Sequence, residues 1–394
     1  MAQNNNLLKD KISIEFDKIV SNIEQHEKIA PNQSYGLLGG SSSLILIYYF
    51  LRDEDKMYKA IKTSLNQLSE NNFSFNYSTG ITGLNWILNF ISENGQIDSN
   101  YFSEVKDDLH SMIMDIPRHN NFTRNLDFLH GMTGIIHYLI DYGNNKKSQQ
   151  IILEYLRYID SCKIKSKFGY YVTFESLQDK STHIDYGLAH GLASVIQVLS
   201  RIYAKGIEVN LSKKLVTGFV EFMLNNKNNP DSCFSHFPTS FEKINNNTRL
   251  AWCYGDLGIA MAIRQAGVNL NNKEWIRRAE EFFLHSTKRI SKESTLLYEP
   301  MLCHGSSGLA VMYNRIYRDT KNKLYKDQSD YWFKQTLDFS VNKGEYKGYR
   351  KYLHDENKWE VDYTFLEGST GVALSYLTFL SQEDLGWEKS LLID

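Results

Sequence analysis

Long apolar runs are missing from this chain. No stretch approaches the roughly 18 residues needed to cross a bilayer. The start, Met1-Ala2-Gln3-Asn4-Asn5-Asn6, is polar where a signal peptide would be hydrophobic. The expectation is a cytoplasmic protein without a membrane span. Basic excess is missing too. With 44 Lys+Arg against 46 Asp+Glu, the net charge is −2 and the signs are interspersed, so there is no electrostatic footprint for nucleic acid. Cysteine is scarce. Four in 394 residues make no disulfide framework, and in a reducing compartment metal binding or catalysis is the more natural use of a thiol.

Material for a core is present, with 42% apolar and 13% aromatic residues. Leu8, Ile12, Phe16, Ile19 and Ile23 recur at helical spacing and predict an amphipathic first helix. Residues 54–69 predict another, with Met57, Ile61, Leu65 and Leu68 on one face. Between such helices stands a recurring step, Gly-x-x-Gly or a close variant, followed by a helix apolar nearly all round. Its first glycines are Gly40, Gly80, Gly131, Gly191, Gly255, Gly305 and Gly368. Seven copies at intervals of 40 to 64 residues signal a repeat architecture. Length alone allows one large domain or several ordinary ones, and the repeat favours a single domain over residues 1–394. Outer helices are marked by Ile151/Ile152/Tyr155/Leu156, Phe219/Val220/Met223, Ile276/Ala279/Phe283 and Trp332/Phe333/Leu337.

A helix apolar all round must be buried, and one with a single apolar stripe lies outside it. Seven such pairs make either an open solenoid or a closed double ring. Closure would aim the inner-helix N-termini at one mouth. Two segments read as insertions. Residues 161–185 hold a strand or hairpin over 168–174, and residues 225–248 form an Asn-rich loop with Pro230 and Pro238. The charged segment 318–330 reads as a solvated connection.

Counting back from each first glycine locates the chemistry. One residue before it stand Gly39, Thr79, His130, His190, Tyr254, His304 and Glu367; two before it, Cys253 and Cys303 occupy equivalent places. Two thiols at one repeat offset, one followed by a histidine, suit a zinc site with a fourth position open. The competing reading is two small core cysteines and a hydrogen-bonded histidine. His190, in Tyr186-Gly187-Leu188-Ala189-His190-Gly191, reads as a general acid or base, or else as a hydrogen bonder at a helix end. Asp127, four residues before Gly131, holds a histidine in one tautomer or takes a proton, or else caps a helix. Arg249 reads as a stabiliser of negative charge or a surface arginine, and Tyr254 as a hydrogen-bond donor beside a ligand. His130 and Glu367 are weaker candidates. Cys162, Cys233, His183 and His236 fall in the insertions and read as incidental.

Trp252-Cys253-Tyr254-Gly255, Cys303-His304-Gly305 and Ala189-His190-Gly191, set in seven glycine repeats, resemble the lanthionine synthetase C-like proteins, the cyclases of lanthipeptide (lantibiotic) biosynthesis. The resemblance runs from about residue 34 to 380. It implies an all-α fold, an α/α toroid of seven inner and seven outer helices. It implies one zinc per chain on Cys253, Cys303 and His304, acid–base roles for His190 and Asp127, and Arg249 and Tyr254 lining the site. Ser43 and Ser194 replace the second glycine in copies one and four, a departure that bears on those turns.

The implied reaction is addition of cysteine thiolates of a dehydrated precursor peptide to dehydroalanine or dehydrobutyrine. The implied partners are that peptide, a separate dehydratase and an exporter, which could hold the enzyme near the membrane. Three rivals stand beside this: addition of glutathione or another thiol to dehydrated residues, a zinc-containing scaffold that binds peptides without chemistry, and a toroidal glycosidase using Asp127 and Glu367.

Overall fold

The computed structural model describes residues 2–27, 34–70, 73–93, 102–116, 124–176, 180–341, 348–381 and 383–393. Its helices are α1 (Ala2–Glu27), α2 (Ser43–Leu51), α3 (Glu54–Glu70), α4 (Ile81–Glu93), α5 (Ser103–Ile113), α6 (Met132–Tyr142), α7 (Lys146–Cys162), α8 (Leu192–Ala204), α9 (Val209–Asn225), α10 (Asp256–Asn269), α11 (Lys273–Ser286), the short α12 (Lys292–Thr295), α13 (Ser306–Thr320), α14 (Lys323–Asp338) and α15 (Ser369–Ser381). The chain is all-α, and among the described residues strands are confined to three small antiparallel pairs.

Contacts group the chain into two units, 74–296 and 1–73 with 297–394. In the first, α4, α6, α8 and α10 pack in sequence, and α5, α7, α9 and α11 each cover one of them. In the second, α13 packs on α15 and α15 on α2, covered by α14, α1 and α3. There the first helix of the chain is the outer partner of its last inner helix. The sequence pattern explains the layering. Nearly every side chain of α8, from Leu192 to Ser200, is buried, whereas α7 buries Ile151, Ile152, Tyr155, Leu156 and Ile159 on one stripe.

The two kinds of helix begin differently. Asn145, Asn272 and Asn322 cap the outer helices α7, α11 and α14 with their side chains. The inner helices α6, α8 and α13 begin after an extended glycine with no side-chain cap. In α4, α6 and α15 the preceding loop is closed by the second residue after the glycine. Thr82, Thr133 and Thr370 each donate a hydroxyl hydrogen bond to a carbonyl seven residues upstream, on Phe75, Leu126 and Tyr363, at 2.6 Å in each case.

The second glycine is there for contact. A Cβ on Gly134 would stand 2.6 Å from Tyr77 Cβ, and one on Gly371 would stand 3.0 Å from Leu302 Cβ. Tyr77 and Leu302 belong to the preceding loops of their units. Ser194 fits instead of glycine and donates to the Gly191 carbonyl at 2.9 Å.

The hairpin expected within 161–185 is present: Ile164–Ser166 pairs antiparallel with Gly169–Tyr171, and Phe174–Glu175 with Thr182–His183. Residues 177–179 of that segment lie outside the described residues. Tyr170 closes on α9 at Gly218, where an added Cβ would meet its ring at 1.9 Å. Residues 226–248 form a loop with one 3-10 turn, Phe241–Lys243, held by Asn228, whose side-chain amide donates to the Ser235 and Asn246 carbonyls.

Two expectations need correction. Segment 318–330 is not a solvated connection. It ends α13, turns at Asn322 and begins α14, because Tyr325 and Ser329 are buried and its charges line the outer face. On α3 the buried face is Met57, Ala60, Ile61, Ser64 and Gln67, with Leu65 and Leu68 only half-buried. Ser64 and Gln67 are buried because they hydrogen-bond Ser42 and Ser41 of the adjoining loop. A hairpin of Lys351–Leu353 with Lys358–Glu360 was not anticipated.

Candidate active site

The loops before the inner helices share one hydrogen-bonding scheme. The amide just after the first glycine donates to the carbonyl of the residue six before it, as Met132 does to Asn125, Leu192 to Asp185 and Ser306 to Glu299. Neighbouring loops are also laced. Two residues before the glycine, the Ser78 amide donates to the Leu129 carbonyl at 2.9 Å and the Ala189 amide to the Cys253 carbonyl at 3.4 Å, with the adjoining Leu188 amide donating to the same carbonyl at 2.9 Å. In the other unit Cys303 donates to Leu366 at 2.9 Å and Leu366 to Leu38 at 3.1 Å. The lacing sets equivalent positions of successive copies side by side.

Unit 74–296 carries a row of rings at these positions. His130 stacks on His190 with centroids 6.0 Å apart, and His190 faces Tyr254 at 6.4 Å. All three precede a first glycine. Nδ1 of His190 lies 2.5 Å from Oδ2 of Asp127, and Oδ1 of Asp127 accepts the His130 amide at 2.7 Å. One oxygen of Asp127 closes a loop and the other holds a histidine; α6 begins after Gly131 with no side-chain cap, so Asp127 does not cap it. Burial disfavours a charged His190, but the hydrogen bond and charge of Asp127, with Asp185 and Cys253, outweigh it and raise its pKa to about 9. His130 goes the other way, lowered chiefly by burial.

Asp185 was missed by the sequence reading. It is buried, accepts the Tyr254 hydroxyl at 2.8 Å and the Gly187 amide at 2.6 Å, and stands 3.4 Å from His183 Nε2. Burial and the neighbouring Asp185 charge push the Tyr254 phenol far above its usual range, so it is a neutral donor. The available signal was Asp185's place six before Gly191, where Ser34, Ser74, Asn125 and Asp362 also carry short oxygen-bearing side chains.

Arg249 is half-buried and has no ion-pair or hydrogen-bond partner for its side chain among the described residues. His183 is bound to Asp185, which raises its pKa. His236 packs against His285 and Phe282, and burial lowers its pKa to about 4. Cys162 and Cys233 are half-buried thiols.

Cys253 lies in unit 74–296 and is 6% exposed. Cys303 and His304 lie in the other unit, where Cys303 is 8% exposed and His304 Nε2 stands 2.6 Å from Oε1 of Glu299. None of the four cysteines is in a disulfide. Thiols and an imidazole are ligand types that suit zinc. Glu367, the remaining carboxylate candidate, is exposed and stands 3.5 Å from Lys351 Nζ. Among the described residues no helix is long and apolar enough to cross a membrane.

Comparison with known proteins adds to this geometry. The family model described as lanthionine synthetase C-like protein matches residues 52–392. The nisin biosynthesis protein NisC of Lactococcus lactis subsp. lactis is 24% identical over 412 residues, covering 98% of this chain and 84% of that protein. The solved structure of nisin cyclase superposes with a TM-score of 0.74 at 19% identity, covering 97% of both chains. The all-α fold class expected from the sequence is the fold of that structure.

Proposed function

The chain belongs to the lanthionine synthetase C-like family, and we propose that this member is a zinc-dependent cyclase acting on a dehydrated precursor peptide. It adds the peptide's cysteine thiols to dehydroalanine and dehydrobutyrine and closes lanthionine and methyllanthionine rings. Cys253, Cys303 and His304 are the proposed ligands of one zinc per chain. Three protein ligands leave a fourth position for substrate, whereas closed structural sites use four.

Zinc held there would let a cysteine react as thiolate at neutral pH, where a free thiol is only a few per cent ionised. In the addition, the thiol proton is lost to solvent, the Cβ–S bond forms, the π pair of the double bond moves into an enolate, and the α-carbon then takes a proton from an acid that solvent recharges. One S–H is added across one C=C, so no oxidant or reductant is needed. The sequence left His190 open as acid or base. Its raised pKa favours the acid: the ring enters as imidazolium and gives a proton from Nε2 to the α-carbon, with Nδ1 held by Asp127. Arg249, unpaired among the described residues, is available to the enolate oxygen. The Tyr254 hydroxyl, fixed on Asp185, lines the same site.

The observation that carries this reading is the His190–Asp127 pair set between the His130 and Tyr254 rings. Residues 1–394 are read as one cyclase domain, a view supported by a family match that runs through 52–392. The dehydro residues must be made before this step; the reading assigns that to a separate dehydratase, with an exporter as a further partner and the enzyme in the cytoplasm, near the membrane only through those partners.

The test pairs zinc content with cyclisation. Ring closure leaves the peptide mass unchanged and removes thiols that an alkylating reagent would label. The expected result is one zinc per wild-type chain and loss of alkylatable thiols, with both lost in a folded Cys303→Ala variant. Zinc without loss of peptide thiols, and glutathione added to the peptide instead, would move the activity to another thiol. Wild type without zinc would remove the basis for thiol activation.

A further inference from the structure

The position six before each first glycine behaves as a set with two exceptions. Ser34, Ser74, Asn125, Asp185 and Asp362 each accept, through a side-chain oxygen, the amide two residues on, at 3.3, 3.4, 2.9, 2.6 and 2.7 Å. These are local turns of the kind short polar side chains make. The two copies that carry cysteine depart from this. Copy five has Arg249 and copy six has Glu299. Glu299 keeps the backbone part of the scheme, since its carbonyl accepts the Ser306 amide at 3.1 Å. Its side chain does something else.

The Glu299 residue is 1% exposed. Oε2 accepts the Tyr352 amide at 2.5 Å, from the hairpin that interrupts the repeat between α14 and α15. Oε1 stands 2.6 Å from Nε2 of His304 and has no aligned hydrogen bond among the described residues. A buried carboxylate with one oxygen lacking an aligned donor is costly, and a local turn would have needed only serine or aspartate here. The hairpin serves the same end: Tyr298, next to Glu299, stacks on Tyr352 with centroids 6.3 Å apart and meets His354 edge-on at 4.9 Å.

We propose that Glu299 is a positioning residue for the metal centre: its carboxylate takes the Nε2–H of His304 and presents Nδ1 as the metal-binding nitrogen. The inference rests on the zinc reading above. A carboxylate on the far nitrogen fixes the tautomer and ring orientation of a ligating histidine and makes it more basic.

The test uses the full-length protein, with Glu299→Gln and Glu299→Ala beside wild type and circular dichroism to check folding. Zinc affinity is read by competition with a chromophoric chelator, and the His304 tautomer by nitrogen-15 NMR of histidine-labelled, metal-free protein. The expected result is the Nε2–H tautomer in wild type, with affinity about 10- to 100-fold weaker in Glu299→Ala and a smaller loss in Glu299→Gln. Wild-type affinity in a folded Glu299→Gln and Glu299→Ala, or an Nδ1–H tautomer in wild type, would overturn the inference alone. A wild type that takes up no zinc overturns the ligand reading and this inference with it. Should Glu299→Ala not fold, the tautomer and the Glu299→Gln affinity decide.

Discussion

Nδ1 of His190 stands 2.5 Å from Oδ2 of Asp127, and the other Asp127 oxygen is tied to the His130 amide. The carboxylate therefore cannot turn away without opening its own loop. It is held by copy three and acts on copy four. The imidazole it fixes has one nitrogen committed and Nε2 left for proton exchange.

That arrangement fixes the sign of a pH effect. The folded pKa of His190, about 9, lies above its ordinary value of 6.5. Its stabilising effect is then fully present below pH 6.5 and is lost as pH rises through about 9. Melting temperatures of wild type and His190→Gln should differ most below pH 6.5 and converge above 9. NMR titration of Asp127→Asn should show His190 moved down toward its ordinary value. If His190 is the acid, cyclisation should slow as pH rises through about 9.

The glycine repeat makes a packing prediction. A Cβ on Gly134 would meet Phe128 O at 2.1 Å and Tyr77 Cβ at 2.6 Å, so Gly134→Ala must displace backbone. A cost of about 1–3 kcal/mol is expected, read as a lowered melting temperature. Ser194→Gly, at the equivalent place where the chain already accommodates a side chain, should change stability far less.

The hydroxyl two residues after the glycine makes another. Thr133 Oγ1 lies 2.6 Å from the Leu126 carbonyl and 2.8 Å from the Tyr155 hydroxyl, all buried. Thr133→Val keeps the shape and strands both partners, at an expected cost of about 1–3 kcal/mol. Thr133→Ser keeps the hydroxyl and should lose less. Urea denaturation of the two variants is the check.

These cases show what the sequence made legible. Gly-x-x-Gly followed by an apolar run announced the inner helices because close contact and burial restrict the residues allowed there. The −1 offset announced the row of His130, His190 and Tyr254, whose rings lie in succession, and the −2 offset picks out Cys253 and Cys303 as proposed ligands. Asp185 and Glu299 were not found. Their common position six before the glycine holds Ser, Asn, Asp, Arg or Glu, types that sequence patterns assign to any loop. Only their partners, Tyr254 and His304, distinguish them. Segment 318–330 was misread because an outer helix needs few apolar residues: Tyr325, Trp332 and Phe333 bury the inward face of α14.

Two arginines should separate activity from stability. Arg289 and Asp256 are both buried, 2.8 Å apart, and Arg289 also donates to the Ser294 and Thr248 carbonyls. Asp256 in turn accepts the His236 and Phe237 amides, so the pair ties the 226–248 loop to the start of α10. Arg289→Ala leaves a buried carboxylate unpaired and should cost about 3–5 kcal/mol. Arg249 is half-buried and unpaired among the described residues, and its replacement by alanine should change stability by no more than about 0.5 kcal/mol. If it stabilises the enolate, Arg249→Ala should lower the cyclisation rate about 10²- to 10³-fold while zinc content and melting temperature stay at wild-type values. Arg249→Ala with wild-type turnover would leave the residue no part in the chemistry, and a collapse in melting temperature would make it structural. The outcome is read from thiol-alkylation time courses, zinc analysis and thermal melts on the same preparations.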